Sequence, residues 1–182
     1  GLVVYSNIYR APFVFDDLQQ IEENVKIRDL SRCLLPGQVF SPRPLVELTF
    51  ALNYKLGGLN VFGYHLVNVV IHIINGLLVY FLSLIIFKQL LNLPSHAFRH
   101  LAIGTSDSLG LKSEVQRQKR AISQSRIDER QSTIYLMSLF TALIFIAHPI
   151  QAQAVTYTAQ RFTSMAAMFY FLSILCYVRG RV

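Results

Sequence analysis

Asp16 and Asp17 are adjacent carboxylates that follow directly on the apolar run Phe13-Val14-Phe15, with no Lys or Arg within five residues. A carboxylate in such a place is a candidate general base. The alternative is a helix N-cap, because residues 16–24 could begin a short helix and acids suit a first turn. A cap explains one acid well and the pair less well. Two carboxylates alone offer too few ligands for a divalent cation, so we predict no metal site from them.

Two isolated arginines are further candidates. Arg43 stands between two prolines, and Arg161 interrupts an uncharged stretch from residue 131 to 178. An arginine near a membrane surface either snorkels to lipid phosphate or grips a substrate phosphate with two parallel hydrogen bonds. Residue type and spacing leave both interpretations open.

Four polar residues form a stripe at helical spacing, namely His65, Asn68, His72 and Asn75. Intervals of three, four and three place them on one face of a helix. Lipid offers that face no hydrogen-bond partners, so we expect it to look into the protein or into a wet cavity. Hydrogen bonding between helices is the simpler explanation for Asn68, His72 and Asn75, whereas His65 lies at the outer end, where a site could reach it.

The elements that would position these residues are membrane helices. Of the 182 residues, 53% are hydrophobic and only 15% are charged, whereas soluble domains average about 25% charged. Residues 64–86 contain no Lys, Arg, Asp or Glu and reach about 34 Å as a helix, enough for the ~30 Å hydrocarbon core. Two more candidate spans lie before Pro149 and in residues 162–178. We therefore predict an all-α, polytopic transmembrane bundle.

The charges predict the orientation of the spans. Segment 10–60 has six basic and six acidic residues, whereas segment 88–130 has eight basic and four acidic residues. The basic excess marks the cytoplasmic side, and Arg179 and Arg181 agree with it. Asp16 and Asp17 then face a periplasm or lumen, in a multi-pass protein of the bacterial inner membrane or the endoplasmic reticulum. The interleaved acids of segment 112–130 argue against nucleic-acid binding, and a solvated helix or connector is the favoured interpretation there.

The first outer loop contains its own helix. Pro44 opens and Gly57-Gly58 closes a stretch in which leucines recur at helical spacing, which predicts a helix lying in the membrane interface.

Cys33 and Cys176 lie in dissimilar surroundings, and we predict no disulfide between them. The chain begins with Gly and ends after an apolar run, so we interpret it as part of a longer protein. The predicted segments are a span end at 1–9, an outer loop at 10–61, a span at 62–87, a cytoplasmic connector at 88–130, a span at 131–148, an outer segment at 149–161 and a span at 162–178.

Several short motifs in this order resemble a known family. They are FVFDD at 13–17, RPL at 43–45, GYHLVNVVIH at 63–72 and HPIQAQAVTYTAQR at 148–161. The chain resembles the membrane half of glycosyltransferases that join a multi-span domain to tetratricopeptide repeats. Those proteins are similar to the protein O-mannosyltransferases of the GT-C superfamily.

The resemblance implies a reaction and its residues. Such enzymes transfer a sugar from a polyprenyl-phosphate donor to a protein or glycan acceptor on the outer face. It implies Asp16 or Asp17 as the catalytic base, with a slight preference for Asp16. It also implies Arg43 and Arg161 as donor-phosphate ligands, with His65 and His148 as polar partners. The superfamily leaves the cofactor open, with or without a divalent metal.

The chain departs from the family pattern at two positions, where Gln153 and Thr163 replace residues that are usually acidic. This favours a first alternative, a non-catalytic membrane scaffold that carries tetratricopeptide repeats. The polar stripe favours a second alternative, a fragment of a transporter.

Overall fold

The computed structural model describes residues 5–31, 43–91 and 109–181, and every regular element in these ranges is helical. This confirms the predicted all-α class. Five α-helices lie wholly within these ranges, namely α1 (Pro44–Gly57), α2 (Val61–Leu91), α3 (Leu109–Ala147), α4 (Ala152–Thr156) and α5 (Arg161–Arg181). Short 3-10 turns occupy Ile8–Arg10, Val25–Arg28, Pro149–Gln151 and Thr158–Gln160, and Leu18–Glu22 is a π-helical turn.

Three of the helices are long and apolar enough to cross a membrane. The qualifying stretches are Val61–Leu91, Arg120–Ala147 and Thr158–Arg181, with 31, 28 and 24 residues. At 1.5 Å per residue even the shortest reaches about 36 Å, which exceeds the ~30 Å hydrocarbon core. The three membrane-length helices predicted from the uncharged runs are therefore confirmed.

Helix α2 lies at the centre, because α3 and α5 both pack along it. Gly76 permits the close approach of α3, since a Cβ atom there would lie 2.5 Å from Cδ1 of Ile146. Small residues commonly mediate such helix contacts in membranes. Residues 109–130 of the predicted connector and the following span form one continuous helix, α3, which includes the boundary predicted at residue 131. Residues 92–108 of the connector lie outside the described residues. No glycine or proline interrupts residues 111–147, so nothing ends the helix there.

The remaining elements lie around the N-terminal end of α2. Ile21 and Ile27 of the first segment are fully buried against Phe50 of α1 and Tyr64 of α2, in a cluster that also includes Met165 of α5. A second cluster joins Tyr5 and Ile8 to Val69 and Val155. These two apolar clusters fix residues 5–31 against four helices, α1, α2, α4 and α5.

Helix α1 begins and ends where the proline and glycine signals predict. Its buried face is formed by Val46, Phe50, Ala51 and Asn53. Leu45, Leu52 and Leu56 of the predicted leucine row are 52%, 49% and 80% exposed. The helix itself is confirmed, whereas its position in a membrane interface stays a prediction. Of the predicted span end at 1–9, residues 1–4 lie outside the described residues, as does Cys33, and Cys176 is exposed.

The contact at Gly76 predicts sensitivity to size. We expect Gly76→Val to lower the free energy of unfolding by about 2 kcal/mol, because the added methyl groups would overlap Ile146 and separate α2 from α3. Thermal unfolding of the purified protein in detergent would measure this. Gly180→Val is the matched control, since a Cβ atom at Gly180 meets no atom within 4 Å. Equal losses in the two variants would contradict the packing argument.

Candidate functional site

Asp17 is buried, with 1% of its surface exposed, and it caps a turn far away in sequence. Its Oδ2 accepts a hydrogen bond from the main-chain N–H of Thr158 (3.4 Å), and its Oδ1 accepts one from Ala159 (2.5 Å). These N–H groups belong to the turn that leads into α5, whose first amide groups have no partner within their own helix. The hypothesis that Asp17 caps a helix in residues 16–24 is therefore wrong, since no side-chain cap bond serves the adjacent turn Leu18–Glu22. Asp17 instead binds the amide groups of the turn that leads into α5.

Arg161, the first residue of α5, is completely buried and bonds to two other helices. Its Nε donates to Oδ1 of Asn68 (2.8 Å), and its Nη2 donates to the main-chain carbonyl of Tyr64 (2.9 Å). Its Nη1 donates to Oγ1 of Thr49 (3.2 Å) and to Oδ1 of Asn53 (2.9 Å) on α1. One guanidinium thus joins α1, α2 and α5.

The acceptors around Arg161 are all uncharged oxygen atoms. The guanidinium carbon also lies 4.4 Å from the ring centre of Phe50 and 5.8 Å from that of Tyr64. Rings at these distances attract a cation through their negative faces. A buried charge is tolerated only when its hydrogen bonds are satisfied. In this arrangement Arg161 positions α1, α2 and α5 relative to one another.

The polar stripe of α2 is buried and bonded to main-chain carbonyl groups. Nε2 of His65 lies 3.1 Å from the carbonyl oxygen of Ala11, and Nε2 of His72 lies 3.2 Å from that of Ile146. Because a carbonyl only accepts, both rings carry their proton on Nε2. Asn68 donates to Tyr157 (3.2 Å), and Asn75 donates to Ser164 (2.9 Å). The stripe attaches α2 to its neighbours, as the simpler interpretation predicts.

Asp16 differs from its neighbour, because its side chain is exposed at the edge of a cavity of about 300 Å³. The cavity is lined by Phe15, Asp16, Gln153, Tyr157, Ala159 and Gln160. Phe15 has a positive φ of 50°, a conformation that costs about 1–3 kcal/mol outside glycine. This backbone turn directs Asp16 to the cavity while Asp17 enters the interior. Such strain often marks functional sites.

The other predicted site residues do not line this cavity. Arg43 lies 3.9 Å from the ring centre of Phe162 and borders a separate, largely apolar cavity of about 300 Å³ between α1 and α5. His148 is exposed, and its Nδ1 accepts a hydrogen bond from the N–H of Ile150 (3.2 Å). Arg161 and Asp17 meet at one turn, residues 158–161, whereas Asp16 faces the cavity beside that turn.

Sequence reasoning missed the partners of Arg161 and the amides beside Asp16. Thr49 and Asn53 are spaced by four on α1, and this polar pair on the helix face that bears Phe50 was a detectable signal. Gln160 offered no comparable signal. Among the described residues, no group of three or more His, Cys, Asp or Glu side chains could hold a metal ion.

Comparison with known proteins supports the resemblance that the sequence motifs indicate. No family model and no solved structure matches the chain. The chain is similar to human protein O-mannosyl-transferase TMTC2 (27% identity over 98% of the chain), to fruit-fly Tmtc3 (27% over 98%) and to human TMTC4 (28% over 99%). The predicted resemblance to membrane O-mannosyltransferases is confirmed. The chain spans 18%, 18% and 22% of the lengths of these relatives.

The geometry of Arg161 yields a first prediction for the site. We expect Arg161→Lys to lower the free energy of unfolding by about 3 kcal/mol, because one ammonium cannot reach acceptors on both α1 and α2. Thermal unfolding in detergent would measure this. The matched control is Arg179→Lys, an exposed position on the same helix. Similar stabilities for the two variants would refute the positioning role.

The two acids should respond differently to the same change. We expect Asp17→Asn to lower the free energy of unfolding by about 2 kcal/mol, because an amide NH₂ would face one of the two buried N–H donors. Asp16→Asn should change it by less than about 0.5 kcal/mol, since the side chain is exposed. The same unfolding measurement compares both variants, and an equally stable Asp17→Asn protein would contradict the cap.

Proposed function

We propose that this chain is the N-terminal membrane part of a longer glycosyltransferase. That protein would transfer a sugar from a polyprenyl-phosphate donor to a hydroxyl group of a protein or glycan acceptor. The names of the relatives support a transferase of this kind. The observation that carries the proposal is the separation of the two acids: Asp17 is committed to a structural cap, whereas Asp16 is exposed at a cavity.

In the proposed reaction Asp16 is the catalytic base. Its carboxylate accepts the proton of the acceptor hydroxyl while the oxygen attacks the anomeric carbon of the sugar, and the bond to the lipid phosphate breaks. The negative charge that develops on the leaving phosphate needs a cation nearby. Arg43 is our candidate, because its guanidinium borders the separate apolar cavity between α1 and α5, and the proposal requires the donor to extend from that cavity to Asp16.

The remaining candidate ligands receive different roles in this proposal. Arg161 already donates four hydrogen bonds within the protein, and His65 bonds to the carbonyl oxygen of Ala11. Both residues therefore have a structural role in this proposal and do not bind the donor. His148 is exposed and remains a candidate polar partner of the donor. The orientation predicted from the basic residues supports an outer location for Asp16. Lys88, Arg179 and Arg181 lie at the C-terminal ends of α2 and α5, which are the ends away from Asp16.

One observation favours the scaffold alternative. Gln153, which stands where the family pattern has an acid, lines the same cavity as Asp16. Losing a carboxylate beside the base would weaken or abolish catalysis and leave a membrane scaffold for partner binding. The polar stripe no longer supports the transporter alternative, because its side chains are buried and bonded to main-chain carbonyl groups.

The proposal predicts that Asp16→Asn loses activity and keeps its fold. General-base removal typically costs 10²- to 10⁴-fold in rate, so we expect at least about a hundredfold slower transfer. The assay would follow radiolabelled mannose from a short-chain polyprenyl-phosphate mannose to Ser- and Thr-containing peptides, using the full-length protein. Glu23→Gln, an exposed acid of the same outer segment, is the matched control.

The outcomes separate the candidate functions. Transfer by the wild type that is undiminished in Asp16→Asn would refute the assignment of the base. Wild-type protein that is folded and yet inactive with all tested acceptors would favour the scaffold.

A further inference from the structure

The cavity beside Asp16 combines two kinds of lining. Phe15 and Tyr157 form aromatic walls with ring centres 6.5 Å apart and planes inclined by 46°. Asp16, Gln153 and Gln160 contribute hydrogen-bonding groups. Flat apolar faces with polar groups at their edges suit a ligand that has both apolar and polar sides.

Gln160 is held in one orientation by a residue outside the cavity. Oγ1 of Thr163 donates a hydrogen bond to Oε1 of Gln160 over 3.0 Å. With the amide oxygen accepting from Thr163, the NH₂ group of Gln160 is left with two donors for a ligand. Thr163 lies in the first turn of α5, so the helix that begins at Arg161 fixes the orientation of this amide.

The charges of the lining exclude two classes of ligand. Asp16 is the only ionised side chain among the six lining residues, and it would repel a phosphate placed against it. A divalent cation would find a single carboxylate, whereas calcium takes six to eight oxygen ligands. A neutral hydroxylated ring meets neither difficulty, because its hydroxyl groups donate to Asp16 and accept from the amides, and its C–H faces pack on the aromatic walls.

The size of the cavity limits the ligand further. Its volume of about 300 Å³ lies at the lower end of the ~300–1,000 Å³ typical of small-molecule sites. This space suits one sugar ring.

We propose that this cavity is a hexose-binding subsite and that Gln160, oriented by Thr163, determines which hexose it accepts. The statement that this hexose is the sugar being transferred rests on the proposed function. Thr163 is a positioning residue here, since it acts through Gln160.

Direct binding tests the subsite without relying on catalysis. The full-length protein in detergent would be examined by saturation-transfer NMR with methyl α-mannoside, methyl α-glucoside and methyl α-galactoside as probes. We expect binding of at least one pyranoside, with different affinities among the three. Gln160→Leu should weaken the preferred pyranoside about tenfold, the effect of losing one or two hydrogen bonds.

Variants of Thr163 test the orientation of the amide. Thr163→Val removes the hydroxyl at nearly constant shape, so we expect weaker binding and a smaller difference among the three probes. Thr163→Ser keeps the hydroxyl and should restore both. Gln124→Leu is the matched control, because Gln124 is an exposed glutamine whose amide bonds to Asp128 on the distant half of α3.

Kinetics add a second measurement if the protein transfers sugar. Gln160→Leu and Thr163→Val should raise KM for the donor about tenfold and change kcat little, because they remove binding that is equal in ground and transition states.

The results distinguish this inference from the proposed function. Wild-type protein that binds none of the three pyranosides would overturn the subsite, as would unchanged affinity and selectivity in both Gln160→Leu and Thr163→Val. Pyranoside binding that depends on Gln160 in a protein without transferase activity would support the subsite and contradict the proposed function. Sugar transfer that is unaffected by Gln160→Leu would support the proposed function and contradict the role of Gln160 in the subsite.

Discussion

The half of the molecule in which α2 begins depends on the burial of one positive charge, the guanidinium of Arg161. Removing such a group from water costs several kcal/mol, and its surroundings must return that energy through hydrogen bonds. Here the acceptors come from Thr49 and Asn53 on α1 and from Asn68 and Tyr64 on α2. Because all four must converge on one planar group, the angle and depth at which α1 meets α2 and α5 are constrained together. The apolar cluster around Phe50 then packs in the space that this convergence leaves.

The candidate site inherits its rigidity from this arrangement. The turn that ends at Arg161 also carries the two N–H groups that bind Asp17. The segment before Asp17 is therefore attached to the same support as the helices, and Asp16 is held at the cavity beside it. Gln160, adjacent to Arg161 in sequence, also lines that cavity. Asp16 and Gln160 are thus positioned by one buried network.

The sequence predicted the elements better than their contacts. The uncharged runs identify the long helices because lipid excludes charge, and proline and glycine delimit α1 because their backbones restrict it. The spacing of His65, Asn68, His72 and Asn75 correctly places them on one buried face. Which of two neighbouring acids is buried could not be read from the sequence. That depends on the positive φ of Phe15 and on N–H groups more than 140 residues away. The continuity of α3 across residue 131 was missed because a change from polar to apolar composition resembles a boundary although the backbone continues.

The distance in sequence between Arg161 and its partners has a consequence for the synthesis of the protein. Asn53 precedes Arg161 by 108 residues, so at about 5–20 residues per second the ribosome needs roughly 5–20 s to add the arginine. During that interval α1 and α2 are made, but the acceptors that will surround the guanidinium have no cation to bind. The end of the bundle at which α2 begins cannot form its contacts with Arg161 until α5 has been made. A nascent chain arrested before residue 161 would expose those polar groups to whatever chaperone or insertion factor attends the membrane.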